Sequence, residues 1–108
     1  MIQLPDTVAA YVRAANDQDA ARIAGCIVPD GTVRDEGKLH HGSEAIAAWA
    51  RETATRYQST IAPVAIDEAA GQCTLTATVS GNFPGSPATL AFHFNLRADG
   101  IAALEISA

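Results

Sequence analysis

Aromatic residues are scarce, with one tryptophan, two tyrosines and three phenylalanines in 108 positions. A core with so few rings must be largely aliphatic, and the abundant alanines leave space between elements. Basic residues are also few. Seven Lys and Arg are scattered among twelve Asp and Glu, giving a net charge of −5. Nucleic-acid binding needs clustered Lys and Arg against phosphate, so no nucleic-acid partner is expected.

Only Cys26 and Cys73 carry thiols. Their spacing fits neither a metal site nor a disulfide framework, so both are expected as free thiols in a reducing cytoplasm. No apolar run approaches the roughly 18 residues of a membrane span. The opening MIQLPDTVAAYVRAAND lacks the basic flank, apolar run and cleavage site of a signal peptide. The chain therefore reads as cytoplasmic, with no membrane partner. Ser80 and Ser86 lack the G-x-S-x-G elbow. GNFPGSP, at 81–87, is not followed by the Lys and Ser/Thr of a phosphate loop. No dinucleotide fingerprint occurs, and no cofactor is expected.

What remains is a globular composition, 48% hydrophobic and 18% charged, which suits a single folded domain over 1–108. Val8, Tyr11, Val12 and Ala15 form an apolar stripe at helical spacing. NDQD at 16–19 ends that helix, and Asp19 is placed to cap a short second one carrying Ala20, Ile23, Ala24 and Ile27. PDG at 29–31 reads as a turn, followed by a hairpin from Thr32 to His41 with Gly37-Lys38 near its tip. A third helix opens at Ser43, the expected N-cap, and aligns Ile46, Trp49, Ala50, Thr53 and Tyr57 on one face.

The period then changes to two. Val64 and Ile66 mark a strand. In CTLTATVSG, Cys73, Leu75, Ala77 and Val79 face opposite to three threonines and a serine. In LAFHFNLR, Leu90, Phe92, Phe94 and Leu96 oppose Ala91, His93, Asn95 and Arg97. Pro84-Gly85 suits a type II turn between these strands, and IAALEIS closes the chain. Helices followed by long antiparallel strands with one apolar face imply an α+β domain whose sheet curls over the third helix.

The order of YVRAANDQD, GTVRDEG, HGSEAIAAW and FHFNLRADGIAALEIS resembles the nuclear transport factor 2-like superfamily, and within it the SnoaL-like and ketosteroid isomerase-like branch. The resemblance covers essentially the whole chain. It implies a cone-shaped curved antiparallel sheet wrapped around three N-terminal helices, a cystatin-like α+β barrel with a cavity at its wide end. It also implies a small apolar ligand and a homodimer through the outer sheet face.

TVRDEGKLHHG, at 32–42, concentrates the polar chemistry. Adjacent strand residues point to opposite faces, so His40 and His41 do not converge on one ion, and no metal is expected. Asp35 ends the strand that carries the proton-shuttling aspartate in isomerase-like relatives. Tyr11, 24 residues earlier, matches their tyrosine donor. A carboxylate would remove a proton beside a carbonyl while a phenol hydrogen-bonds the developing enolate oxygen. The position of the family's second acid holds Phe92, which donates nothing. Loss of one oxyanion donor costs about 10²–10³ in rate, which disfavours steroid-type isomerisation. By strict alternation, His93 faces away from Phe92, and Glu36 lies on the solvent side.

Three functions compete. The first is a binding domain whose cavity is lined by Trp49, Leu75, Phe92 and Phe94, with His41 at the mouth and Asp35 and Tyr11 as polar anchors. The second is an isomerase, cyclase or dehydratase with Asp35 as general base and Tyr11 as donor. The third is a non-catalytic dimeric interaction module, whose cavity would be plugged by Phe83, Phe92 or Trp49.

Overall fold

A computed structural model describes residues 2–108. The chain runs α1 (Asp6–Asn16), α2 (Ala20–Gly25), β1 (Ile27–Asp35), β2 (Lys38–His41), α3 (Ser43–Tyr57), β3 (Thr60–Ala69), β4 (Gln72–Ser80), β5 (Ala88–Arg97) and β6 (Gly100–Ser107). Three helices thus pack against one six-stranded sheet in the order β2-β1-β6-β5-β4-β3.

The fold is the α+β arrangement expected from the sequence, with two refinements. Pairing between β1 and β6 is parallel, so the sheet is mixed. Strands β2 and β3 occupy its two edges, so the curved sheet stays open. The fully buried side chains include Val8 of α1, Ile46 of α3, and Leu75, Phe94, Ile101 and Leu104 of the sheet. These form one continuous core between helices and strands.

Local chemistry sets most boundaries. Asp19 caps α2 by accepting from the Arg22 amide at 3.2 Å. Ile27, expected in that helix, instead starts β1. Pro29-Asp30-Gly31 is not a free turn but an irregularity within β1, where pairing with β6 shifts register between Ile27 and Thr32. At α3, Gly42 takes the cap position with φ 88° and Ser43 is the first helical residue, with no side-chain cap. Gly42 serves because its carbonyl must receive the Ile46 amide, at 3.0 Å, from a left-handed backbone.

The β1–β2 turn is Glu36-Gly37, with φ of 53° and 76°, one residue before the expected tip. Two successive positive φ values are the signature of a type I′ hairpin turn. Pro84-Gly85 forms the expected turn, with Gly85 at φ 88° and the Ser86 amide reaching the Phe83 carbonyl at 3.3 Å. In β3 a register shift between Pro63 and Ala65 displaces Val64, which is exposed, from the inward set that includes Ile66.

Candidate functional site

Between α1, α3 and the inner sheet face lies a cavity of about 670 Å³. That volume suits a small organic molecule, since ligand pockets commonly span roughly 300–1,000 Å³. Its wall is mainly apolar, with Ile23, Trp49, Ile61, Val79, Leu90, Phe92 and Ile106 contributing. Polar side chains also reach the wall, among them Asp35 and Tyr11.

Asp35 ends β1 on the same side as Val33, which is fully buried. Alternation therefore turns its carboxylate inward, where it is half-buried on the cavity wall. The Trp49 indole Nε1–H donates to Asp35 Oδ2 at 3.1 Å. Burial pushes the Asp35 carboxyl above its ordinary range. The Trp49 bond opposes that rise, and the neighbouring charge of Glu36 adds to it. A carboxylate made more basic in this way is better matched to proton abstraction near neutrality.

Tyr11 projects from the buried stripe of α1 and is only 3% exposed. Burial, and then the Asp35 charge, push its phenol well above the ordinary tyrosine value, so it is a neutral donor. Among the described residues no fully buried side-chain polar atom lacks a partner. The Tyr11 hydroxyl has no protein hydrogen bond in that set, so it must touch the open cavity it lines. Its ring packs edge-on to Phe94 at 5.5 Å and tilts against Phe92 at 6.4 Å. A neutral donor and a raised carboxylate thus share one apolar chamber.

The structure brings Asp35, Tyr11, Trp49 and Phe92 together on the cavity wall. It leaves Leu75 and Phe94 out. They share the inward face, but Phe94 lies one inward position beyond Phe92, opposite Cys73, and Leu75, opposite Phe92 itself, is sealed in the core. His41 is also outside. It pairs with Thr32, whereas His40 pairs with inward-facing Val33 and approaches the Trp49 ring at 6.1 Å between centroids. The histidine nearer the site is therefore His40.

Glu36, exposed as the alternation expects, stands with Tyr57 at the mouth. The left-handed backbone at Glu36 and Gly37 carries this solvent-side carboxylate to the rim. The Tyr57 hydroxyl, from the last turn of α3, donates to Glu36 at 2.8 Å. That bond, ahead of burial, pushes the Tyr57 phenol up. Tyr57 also meets Phe83 of the β4–β5 loop edge-on at 6.0 Å. The helical register that aligned Tyr57 with Trp49 was the available signal for it. No group of three His, Cys, Asp or Glu residues is arranged to hold a metal among the described residues.

A family model described as a SnoaL-like domain matches residues 8–104. Among solved structures, a candidate polyketide cyclase from Sinorhizobium meliloti is 35% identical, with a TM-score of 0.92 over 96% of this chain and 95% of that one. A protein of ketosteroid isomerase-like fold from Catenulispora acidiphila, solved with trimethylamine, is 20% identical. Its TM-score is 0.87, over 98% and 87% of the two chains. The epoxide hydrolase/cyclase-like enzyme SalBIII, of salinomycin pyran-ring formation, is 18% identical with a TM-score of 0.82, over 94% and 87%. The last two establish likeness of fold alone. No functionally curated protein matches the chain.

Proposed function

The chain belongs to the SnoaL-like domain family, and on that premise we propose that it binds a small, largely apolar carbonyl compound in the cone cavity and transfers a proton on it through Asp35. The carrying observation is the pairing of a half-buried, Trp49-bonded carboxylate with an unbonded Tyr11 hydroxyl in one cavity. Asp35 takes the proton next to the carbonyl. Tyr11 donates a hydrogen bond to the oxygen on which the enolate charge develops. The proton is then returned elsewhere on the same carbon framework, which gives an isomerisation, or the enolate carbon adds to a second carbonyl of the same molecule, whose C=O π bond opens to an alkoxide that takes the proton back from Asp35.

Phe92 stands where a second donor would complete the oxyanion site, so Tyr11 acts alone. One donor suits substrates whose α-proton is already acidic, such as compounds with two neighbouring carbonyls, better than a simple steroid ketone. The likeness to a candidate polyketide cyclase at 35% identity supports the same class. A module that used only its outer surface would have no need of an open 670 Å³ chamber.

Exchange of α-protons for deuterium in a panel of apolar ketones and diketones, followed by NMR, tests the proposal. Wild type should accelerate exchange for at least one compound that also raises its melting temperature. Asp35→Asn keeps an acceptor for Trp49 but removes the base, and should lose about 10²–10⁴ of the acceleration. Exchange undiminished in Asp35→Asn would overturn the role of Asp35. Binding without any exchange across the panel would reduce the protein to a carrier.

A further inference from the structure

The cavity wall is selective in its charge. Tyr11, Trp49, Tyr57, Phe83 and Phe92 line it, leaving Phe94 as the one aromatic side chain elsewhere. Two carboxylates, Asp35 and Glu36, also reach it, whereas no Lys, Arg or His stands among the lining residues described. The cations nearby, Arg56 and His40, stand behind the wall, outside the lining set. Arg56 lies over the Tyr57 ring at 5.4 Å and pairs with Glu52 at 3.8 Å. His40 sits beside Trp49 outside the lining set.

A ligand carboxylate or phosphate entering this chamber would lose its water and meet two negative groups with no counter-ion, a costly transfer. An ammonium group meets the opposite field. Aromatic faces attract organic cations, more strongly when the site excludes water, and a carboxylate at the mouth adds attraction at short range. The mouth has both parts. Glu36 accepts from Tyr57 through one oxygen, at 2.8 Å, and its other oxygen has no side-chain donor among the described residues. Tyr57 and Phe83 stand edge-to-face beside it.

We propose that this cavity takes a carbonyl compound bearing an ammonium group. The cation is seated at the mouth against Glu36, Tyr57 and Phe83, while the carbonyl reaches Tyr11 and Asp35. The carbonyl end rests on the proton-transfer reading above. The cation end rests on the mouth alone.

Matched phenyl ketones separate the two. The probes are phenacyltrimethylammonium, its uncharged carbon isostere with a tert-butyl group, and benzoylpropionate as the anion. Affinities are measured by calorimetry at low and high salt, and α-proton exchange of each bound ketone is followed in deuterium oxide against its background rate. The cation should bind about tenfold more tightly than the isostere, with the anion weakest. Glu36→Gln, which keeps an acceptor for Tyr57, should shrink the cation-to-isostere ratio, and added salt should do so in part. An isostere that binds as tightly as the cation overturns the charge assignment; Asp35-dependent exchange of that isostere would leave the proton-transfer reading standing. A cation that binds selectively with no Asp35-dependent exchange overturns the proton transfer and keeps the charge assignment. Failure of all three to bind overturns both.

Discussion

Asp35 and Trp49 form a hydrogen-bonded pair, and in the proposed reaction the first moves the proton while the second holds it in place. Burial raises the Asp35 carboxyl above its unfolded value, and the stability consequence follows from linkage. In the interval between the unfolded pKa and the higher folded one, the native chain binds more protons than the unfolded chain. Stability therefore falls as pH rises through that window, and the full penalty persists above it. Asp35→Asn removes a charge that the fold holds at a cost. The variant should melt above wild type at neutral pH, with the gap closing as pH falls below the unfolded value, while exchange activity collapses. Calorimetric melts across the pH range check this, and a variant less stable than wild type at neutral pH would contradict it. Trp49→Phe acts differently. It removes the indole donor at 3.1 Å that favours the ionised form, so the acid limb of kcat/KM should move to higher pH. A purely structural loss would lower the rate and leave that limb in place.

At the scale of elements, edge strand β3 depends on a side chain from another element. Asn16, the last residue of α1, accepts from the Ile61 amide at 2.6 Å and donates to its carbonyl at 3.1 Å, mimicking a neighbouring strand. Asn16→Ala leaves both backbone groups partly buried without that partner, at about 1–3 kcal/mol for each. For a domain of this size that lowers Tm by roughly 4–8 °C per kcal/mol, and hydrogen exchange should show β3 opening first.

That contact was not legible in the sequence, where Asn16 read as a helix breaker, because 45 positions separate it from Ile61. Face was legible wherever the period of two held, as for Asp35, Phe92 and Phe94. Depth along the strand was not. Leu75 and Phe94 point the same way as Val79 and Phe92, and only the assembled packing shows which inward side chains border the cavity and which are sealed in the core. His41 was misplaced for a local reason. Positive φ at 36 and 37 resets the alternation at the turn, and the pairing of β2 with β1 then directs His40, not His41, towards α3.

For the whole molecule, the outer sheet face is a second, polar surface. Thr74, His93, Glu105 and Arg34 lie side by side across β4, β5, β6 and β1. His93 is held there between Thr74 at 3.3 Å and Ser107 at 3.4 Å. A shallow depression of about 430 Å³ includes these strands and Leu39, which is 55% exposed on β2. Arg34 and Glu105 are direct cross-strand neighbours but form no ion pair within the chain among the described residues. Opposite charges so placed are self-complementary across a twofold axis, since Arg34 of one copy can meet Glu105 of another and the reverse. The expected assembly is a homodimer through this face, with a mass about twice 11.2 kDa by light scattering. Glu105→Arg puts four like charges into that interface and should shift the protein to monomer. Adding Arg34→Glu should restore the dimer, and raised salt should weaken it. A wild-type chain that stays monomeric at tens of micromolar, or a Glu105→Arg variant that stays dimeric, would place the contact elsewhere.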